Sequence, residues 1–132
     1  MKYLLSIYVD ESQMEGRTPE EAQEAMAVWD AYTTEARDAG AFIAGEGLQP
    51  TATATTVRGE GGKPRVTDGP FAETKEQLGG FYMLECKDID EAIEWAGKIP
   101  SVAWGGSVEV RPVMDYEAAG SEQHSATAEA SA

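Results

Sequence analysis

Apolar side chains run almost unbroken through Tyr3-Leu4-Leu5-Ser6-Ile7-Tyr8-Val9, with many β-branched and aromatic residues, and the run stops at the polar stretch that begins with Asp10. This pattern predicts a central strand. After a linker through Gly16, Thr18-Pro19-Glu20-Glu21 is a helix start: a hydroxyl for the N-cap, proline at the first helical position and glutamate three residues after the cap. The helix is expected to reach about Ala39. Ala22, Ala25, Met26, Trp29, Tyr32, Thr33 and Ala36 share one face at helical spacing, whereas Glu24, Asp30, Glu35 and Arg37 lie largely elsewhere. Gly40 supplies the left-handed residue that ends it.

Ala41 to Leu48 reads as a short second strand ending in glycines, with Glu46 projecting near its end. Thr53 to Arg58 and Pro64 to Thr67 flank Gly59-Glu60-Gly61-Gly62, which predicts a β-hairpin with a flexible tip. Gly80 to Cys86 is the next strand. Asp88-Ile89-Asp90-Glu91 then opens a second helix with its own N-cap, whose predicted buried stripe is Ile89, Ala92, Ile93, Ala96 and Ile99, and Pro100 is its stop. Ser107 to Val113 alternates valine with charge, the pattern of a strand with one face on the core.

The order strand, helix, strand, hairpin, strand, helix, strand is a split βαβ pattern with an insertion between its halves. It predicts an α+β fold of ferredoxin-like type, with two helices on one face of an antiparallel sheet. The other face needs cover. If Tyr3, Tyr8, Phe81 and Met83 point outward, that face is too apolar for water, and a second copy of the chain is its simplest cover. A homodimer is therefore expected.

A length of 132 residues suits one domain, and no apolar run approaches the ~20 residues of a membrane span. Residues 1–9 lack a signal-peptide pattern, so the expected setting is soluble and cytoplasmic. The folded domain is expected over residues 1–116. Residues 117–132, rich in Ala, Ser, Glu and Thr, are expected to form a flexible acidic tail that holds the one histidine, His124. A balance of 24 acidic against 10 basic residues, net -14, argues against direct contact with nucleic acid or an anionic membrane. No cofactor is implied. Gly59-Glu60-Gly61-Gly62 lacks the Lys-Ser/Thr of a phosphate loop, and the single cysteine, Cys86, with one distant histidine makes no metal constellation. Cys86 sits in a predicted strand and reads as a small core residue.

The stretch Asp68-Gly69-Pro70-Phe71 with Glu73-Thr74-Lys75-Glu76 is different in kind: three turn-formers, a large aromatic and several ionisable groups, followed by Gly79-Gly80 and an apolar strand. It predicts a shaped loop that places Asp68, Glu73 and Lys75 at the mouth of a cleft. These words resemble the signature of the DGPF group within the YCII-related family, small proteins of dimeric α/β-barrel type. The resemblance extends over roughly residues 1–114 and implies the same ferredoxin-like fold and a homodimer. Some relatives carry a histidine paired with an aspartate; here no histidine precedes the tail, so only Asp68 carries across. The resemblance also implies an association with extracytoplasmic-function sigma factors, and a kinship with muconolactone-type isomerases that act on small cyclic compounds.

The chemistry open to this chain is therefore that of a carboxylate. Asp68 is the candidate catalytic acid or base, with Glu46 or Glu73 as partner, at a pocket lined by Tyr8, Trp29, Tyr32, Phe71 and Phe81 and with Lys75 available to an anionic ligand. The alternative is that Asp68 only accepts backbone N–H bonds within its own turn. Two functions follow. One is a small-molecule-binding homodimer, with or without proton transfer; the other is a non-catalytic regulatory module that docks a sigma factor.

Overall fold

The computed structural model describes residues 1–119. The remainder of the expected tail, with His124, lies outside the described residues. Six strands form: β1 (Lys2–Val9), β2 (Phe42–Gly47), β3 (Thr55–Glu60), β4 (Lys63–Asp68), β5 (Gln77–Glu85) and β6 (Ser107–Pro112). They are joined by α1 (Pro19–Asp38) and α2 (Ile89–Gly97), and a single turn, α3 (Tyr116–Ala119), follows β6. The four-stranded sheet has the order β2-β5-β1-β6 and is antiparallel throughout, while β3 and β4 pair only with each other. This is the expected α+β arrangement: two helices on a ferredoxin-like sheet, with a hairpin inserted between β2 and β5. No helix among the described residues is long and apolar enough to cross a membrane.

Local sequence sets the helix boundaries. Thr18 Oγ1 accepts from Glu21 N at 3.1 Å while Thr18 N donates to Glu21 Oε1 at 3.3 Å, a reciprocal cap that satisfies two otherwise orphaned donors. Asp88 Oδ1 accepts from Glu91 N at 2.9 Å at the start of α2. The inserted hairpin turns through Gly61 and Gly62 at φ 58° and 79°, the left-handed pair that a two-residue turn between twisted strands requires.

The core lies between the sheet and the helices. Tyr3, Leu5 and Ile7 of β1 and Tyr82 and Leu84 of β5 meet Tyr32 and Ala36 of α1 and Ala92, Trp95 and Ala96 of α2. Cys86 is buried beside them, and burial pushes its thiol pKa up, so it stays protonated and unreactive at neutral pH. Tyr32 Oη donates to the Trp95 carbonyl at 2.8 Å, tying α1 to α2 through the core.

Three expectations change. Tyr3 faces the helices, 2 % exposed, because its register partner is the buried Leu84; Leu4 takes its place on the outer face. In α2, Ile89 and Ile93 are 42 % and 55 % exposed while Trp95 is buried. The stripe Ala92, Trp95, Ala96, Ile99 satisfies helical spacing equally well and buries the indole, the largest apolar surface on the helix. In α1, Met26 is 65 % exposed, and only from Trp29 onward does the helix lie closely on the sheet.

Gly45 of β2 stands opposite Tyr82 of β5, and a Cβ there would lie 2.7 Å from the Tyr82 ring. Gly45→Ala is therefore expected to displace that ring and to cost about 1–3 kcal/mol in chemical denaturation. An unchanged midpoint would show that the ring is free to move.

Candidate functional site

A cavity of about 380 Å³ opens between α1 and the β2–β5 side of the sheet. That is within the usual range for small-molecule sites, ~300–1,000 Å³. One stripe of α1 forms its roof: Trp29, Asp30, Thr33 and Arg37, neighbours at helical spacing. Glycine makes its floor. Gly45, Gly47, Gly79 and Gly80 expose main chain where other residues would fill the space. Gly79 is the extra residue of a bulge, since Ile7 pairs with Gly80 and Tyr8 with Leu78. A Cβ on Gly80 would come within 2.7 Å of the Glu46 carbonyl, so glycine is needed for β2 and β5 to approach.

The walls are aromatic. Trp29 stacks on Tyr82 with ring centroids 6.4 Å apart and planes 17° from parallel, and Phe42 meets Tyr82 edge-on at 6.2 Å. Thr33 Oγ1 donates to the Trp29 carbonyl at 3.1 Å and lies 2.7 Å from Tyr82 Oη. A threonine hydroxyl has one proton, so the Tyr82 hydroxyl must be the donor of the shorter bond. This fixes the polar edge of the ring against α1.

Two charged groups face this space without an ion-pair partner. No carboxylate lies within 4 Å of Arg37, and no cation lies within 4 Å of Asp30, among the described residues. The Arg37 guanidinium instead lies over the Phe42 ring, 4.7 Å from its centroid. Seven residues of helix put the two backbone positions about 10 Å apart along the axis, room for a small ring between acid and base. Both were expected away from the inner face of α1. The missed signal is the spacing of Trp29, Thr33 and Arg37, a stripe that borders the Tyr32–Ala36 core stripe.

Of the site residues read from sequence, Trp29, Glu46 and Phe81 line this cavity. Glu46 and Phe81 are register partners, and both alternate with the inward pair Gly45 and Tyr82. Their side chains therefore belong to the outer face, and they give the cavity main chain. Tyr32 lies behind the wall, 5 % exposed, where burial raises its hydroxyl pKa beyond any physiological range. Tyr8 is on the outer face with Phe81.

Asp68, Phe71, Glu73 and Lys75 are exposed and outside the lining of this cavity. Asp68 ends β4, and no hydrogen bond reaches its carboxylate among the described residues. The bend is held by main chain instead: Gly69 N donates to Ala54 O at 2.8 Å, and its carbonyl accepts from Thr56 Oγ1 at 2.8 Å. Gly69 has φ 102°, a conformation that favours glycine. Phe71 is 72 % exposed beneath the Arg58 guanidinium, 4.7 Å away. Gln77 anchors the far end of the loop, accepting from Glu11 N at 3.0 Å and donating to the Thr74 carbonyl. Lys75 acts at a distance on Asp10, whose carboxyl pKa is held low first by hydrogen bonds from Ser12 and then by that ammonium. Asp68→Ala is thus expected to shift unfolding free energy by less than about 0.5 kcal/mol, as for a surface substitution. A loss near 1 kcal/mol or more in urea unfolding would show that the carboxylate holds the bend.

Known proteins resemble this chain along nearly its whole described length. The model of the YCII-related domain matches residues 1–117. An uncharacterized protein of Rhizobium meliloti (strain 1021) is 40% identical over 121 residues, covering 89% of this chain and 95% of that protein. With the ferredoxin-like sheet and its inserted hairpin already in view, these matches place the chain in the YCII-related domain family.

Proposed function

We propose that this chain is a small-molecule-binding homodimer whose ligand is a small cyclic acid held in the cleft between α1 and the β2–β5 strands. The observation that carries the reading is the pair Asp30 and Arg37, both without ion-pair partners, above an aromatic and glycine-floored cavity. In a chain with 24 acidic residues, a cavity-lining guanidinium that has no carboxylate beside it is available to an external anion. Trp29 and Tyr82 offer a ring-sized apolar wall, and Asp30 accepts from a hydroxyl or N–H on the ligand. Where the ligand has an acidic C–H or O–H, Asp30 is the carboxylate placed to take that proton. Asp68 keeps the acid–base role only if a partner subunit or a moved loop brings it to the ligand.

The homodimer is supported by the outer face of the sheet. Leu4 pairs with Met83 and Ser6 with Phe81, so half-buried apolar side chains stand together at the centre, with Glu46, Glu109 and Arg111 exposed beside them. A second copy buries that centre and leaves the charges at its rim. Met83→Glu is expected to convert a dimeric mass to a monomeric one in light scattering, with the helical circular dichroism retained. A wild-type chain that is monomeric at high concentration would remove the dimer.

Thermal shift with benzoate and phenylacetate tests the cleft. Saturation at a hundredfold excess over Kd stabilises by about 2.7 kcal/mol. Arg37→Met keeps the packing on Phe42 and is expected to weaken binding at least tenfold; Trp29→Leu is expected to do the same. Equal affinities in wild type and both variants would place any ligand elsewhere.

A further inference from the structure

The cleft between α1 and the β2–β5 strands carries opposite charges toward its two ends and rings between them. Trp29 precedes Asp30 on α1, and Tyr82 stacks on Trp29 with centroids 6.4 Å apart. Phe42 follows, edge-on to Tyr82 at 6.2 Å, and the Arg37 guanidinium lies over it at 4.7 Å. The rings therefore run in order from the acid to the base, over a helix span of about 10 Å. A cavity of about 380 Å³ has room on this path for one ring with a substituent at either end.

Asp30 is the carboxylate that faces this space, since the side chain of Glu46, the other glutamate or aspartate of the lining, belongs to the outer face of the sheet. It is exposed and has no ion-pair partner among the described residues. Thr33, the hydroxyl on the same stripe of α1, donates instead to the Trp29 carbonyl at 3.1 Å. In the free chain, water serves Asp30. A ring laid on Trp29 displaces part of that water, and a carboxylate that loses water needs a donor in exchange. A ligand whose polar group is only an acid at Arg37 supplies none. An ammonium on the far side of the ring does: it forms the stronger, charge-assisted hydrogen bond and meets the face of an indole, which attracts cations. It also makes the ligand neutral overall, whereas a simple anion is repelled by a chain of net charge -14.

We infer that the ligand is a zwitterionic ring amino acid whose carboxylate meets Arg37 and whose ammonium, at the opposite end of the ring, meets Asp30. This rests on the cleft reading above and extends it to the class of compound. An α-amino acid is excluded from the class, because two charges on one carbon do not reach both residues.

Calorimetry at neutral pH with matched rings tests it: 4-(hydroxymethyl)benzoate against 4-(aminomethyl)benzoate, and 4-(2-hydroxyethyl)benzoate against 4-(2-aminoethyl)benzoate. Within each pair, an ammonium replaces a hydroxyl. At least one amine is expected to bind the wild type tenfold or more tighter than its alcohol. Asp30→Asn should reduce that preference to threefold or less. Arg37→Met should weaken both members of the pair tenfold or more and leave their ratio within threefold of the wild-type value. Because Asp30 is exposed, Asp30→Asn is expected to melt with the wild type, so a lost preference reports binding rather than unfolding. Alcohols that bind as tightly as the amines would overturn the ammonium assignment and leave the cleft standing. A preference that survives in Asp30→Asn overturns it as well, since the ammonium then meets another group. If no probe binds the wild type, benzoate included, the cleft reading falls and the amino acid with it.

Discussion

The Tyr82 ring sits where α1, the sheet and the cleft meet. It packs 5.0 Å from Tyr32, stacks on Trp29, meets Phe42 edge-on and donates its hydroxyl proton to Thr33. Three of these contacts come from α1 and one from β2, and one ring cannot satisfy all of them unless β2 yields space. Gly45 does so. The same missing side chains that let the ring lie flat also open the floor of the cavity, so core packing and cleft are one constraint seen from two sides. Tight packing at Tyr82 is why the cavity has a defined shape rather than the collapsed gap that apolar walls otherwise make.

What could be read from sequence was what depends on near neighbours. The caps at Thr18 and Asp88 and the turn at Gly61-Gly62 are local, and each formed where the residue types called for it. Strand and helix order followed from hydrophobic period, and that order fixes a ferredoxin-like sheet almost alone. Faces were harder. β1 is apolar on both sides, so nothing in Tyr3-Leu4-Leu5 says which residue turns inward until β5 supplies the register. Likewise α2 carries two apolar stripes, and only the depth of the space beneath it selects the one with Trp95.

The cleft was legible in one residue, Trp29, and missed in its charges. Asp30 and Arg37 look like solvated residues on the polar side of α1, because helical spacing gives the angle of a side chain but not the width of the ground it overlooks. The Asp68 bend lies apart from this cleft. Asp-Gly-Pro-Phe has the composition of a shaped functional loop, and its glycine closes onto Ala54 and Thr56 of the hairpin. Turn residues report that the chain bends, not what the bend faces.

Three of the five arginines of this acidic chain share a habit, while Arg65 and Arg111 pair with Glu60 and Glu109. Arg37 lies over Phe42, Arg17 over Trp104 and Arg58 over Phe71, each on a ring rather than beside a carboxylate. A guanidinium over a ring needs no carboxylate beside it, whereas a salt bridge would consume its N–H groups. Contact with a ring therefore leaves donors that can meet an anion without first breaking an internal ion pair. For Arg37 those donors border the cavity over the β2–β5 floor.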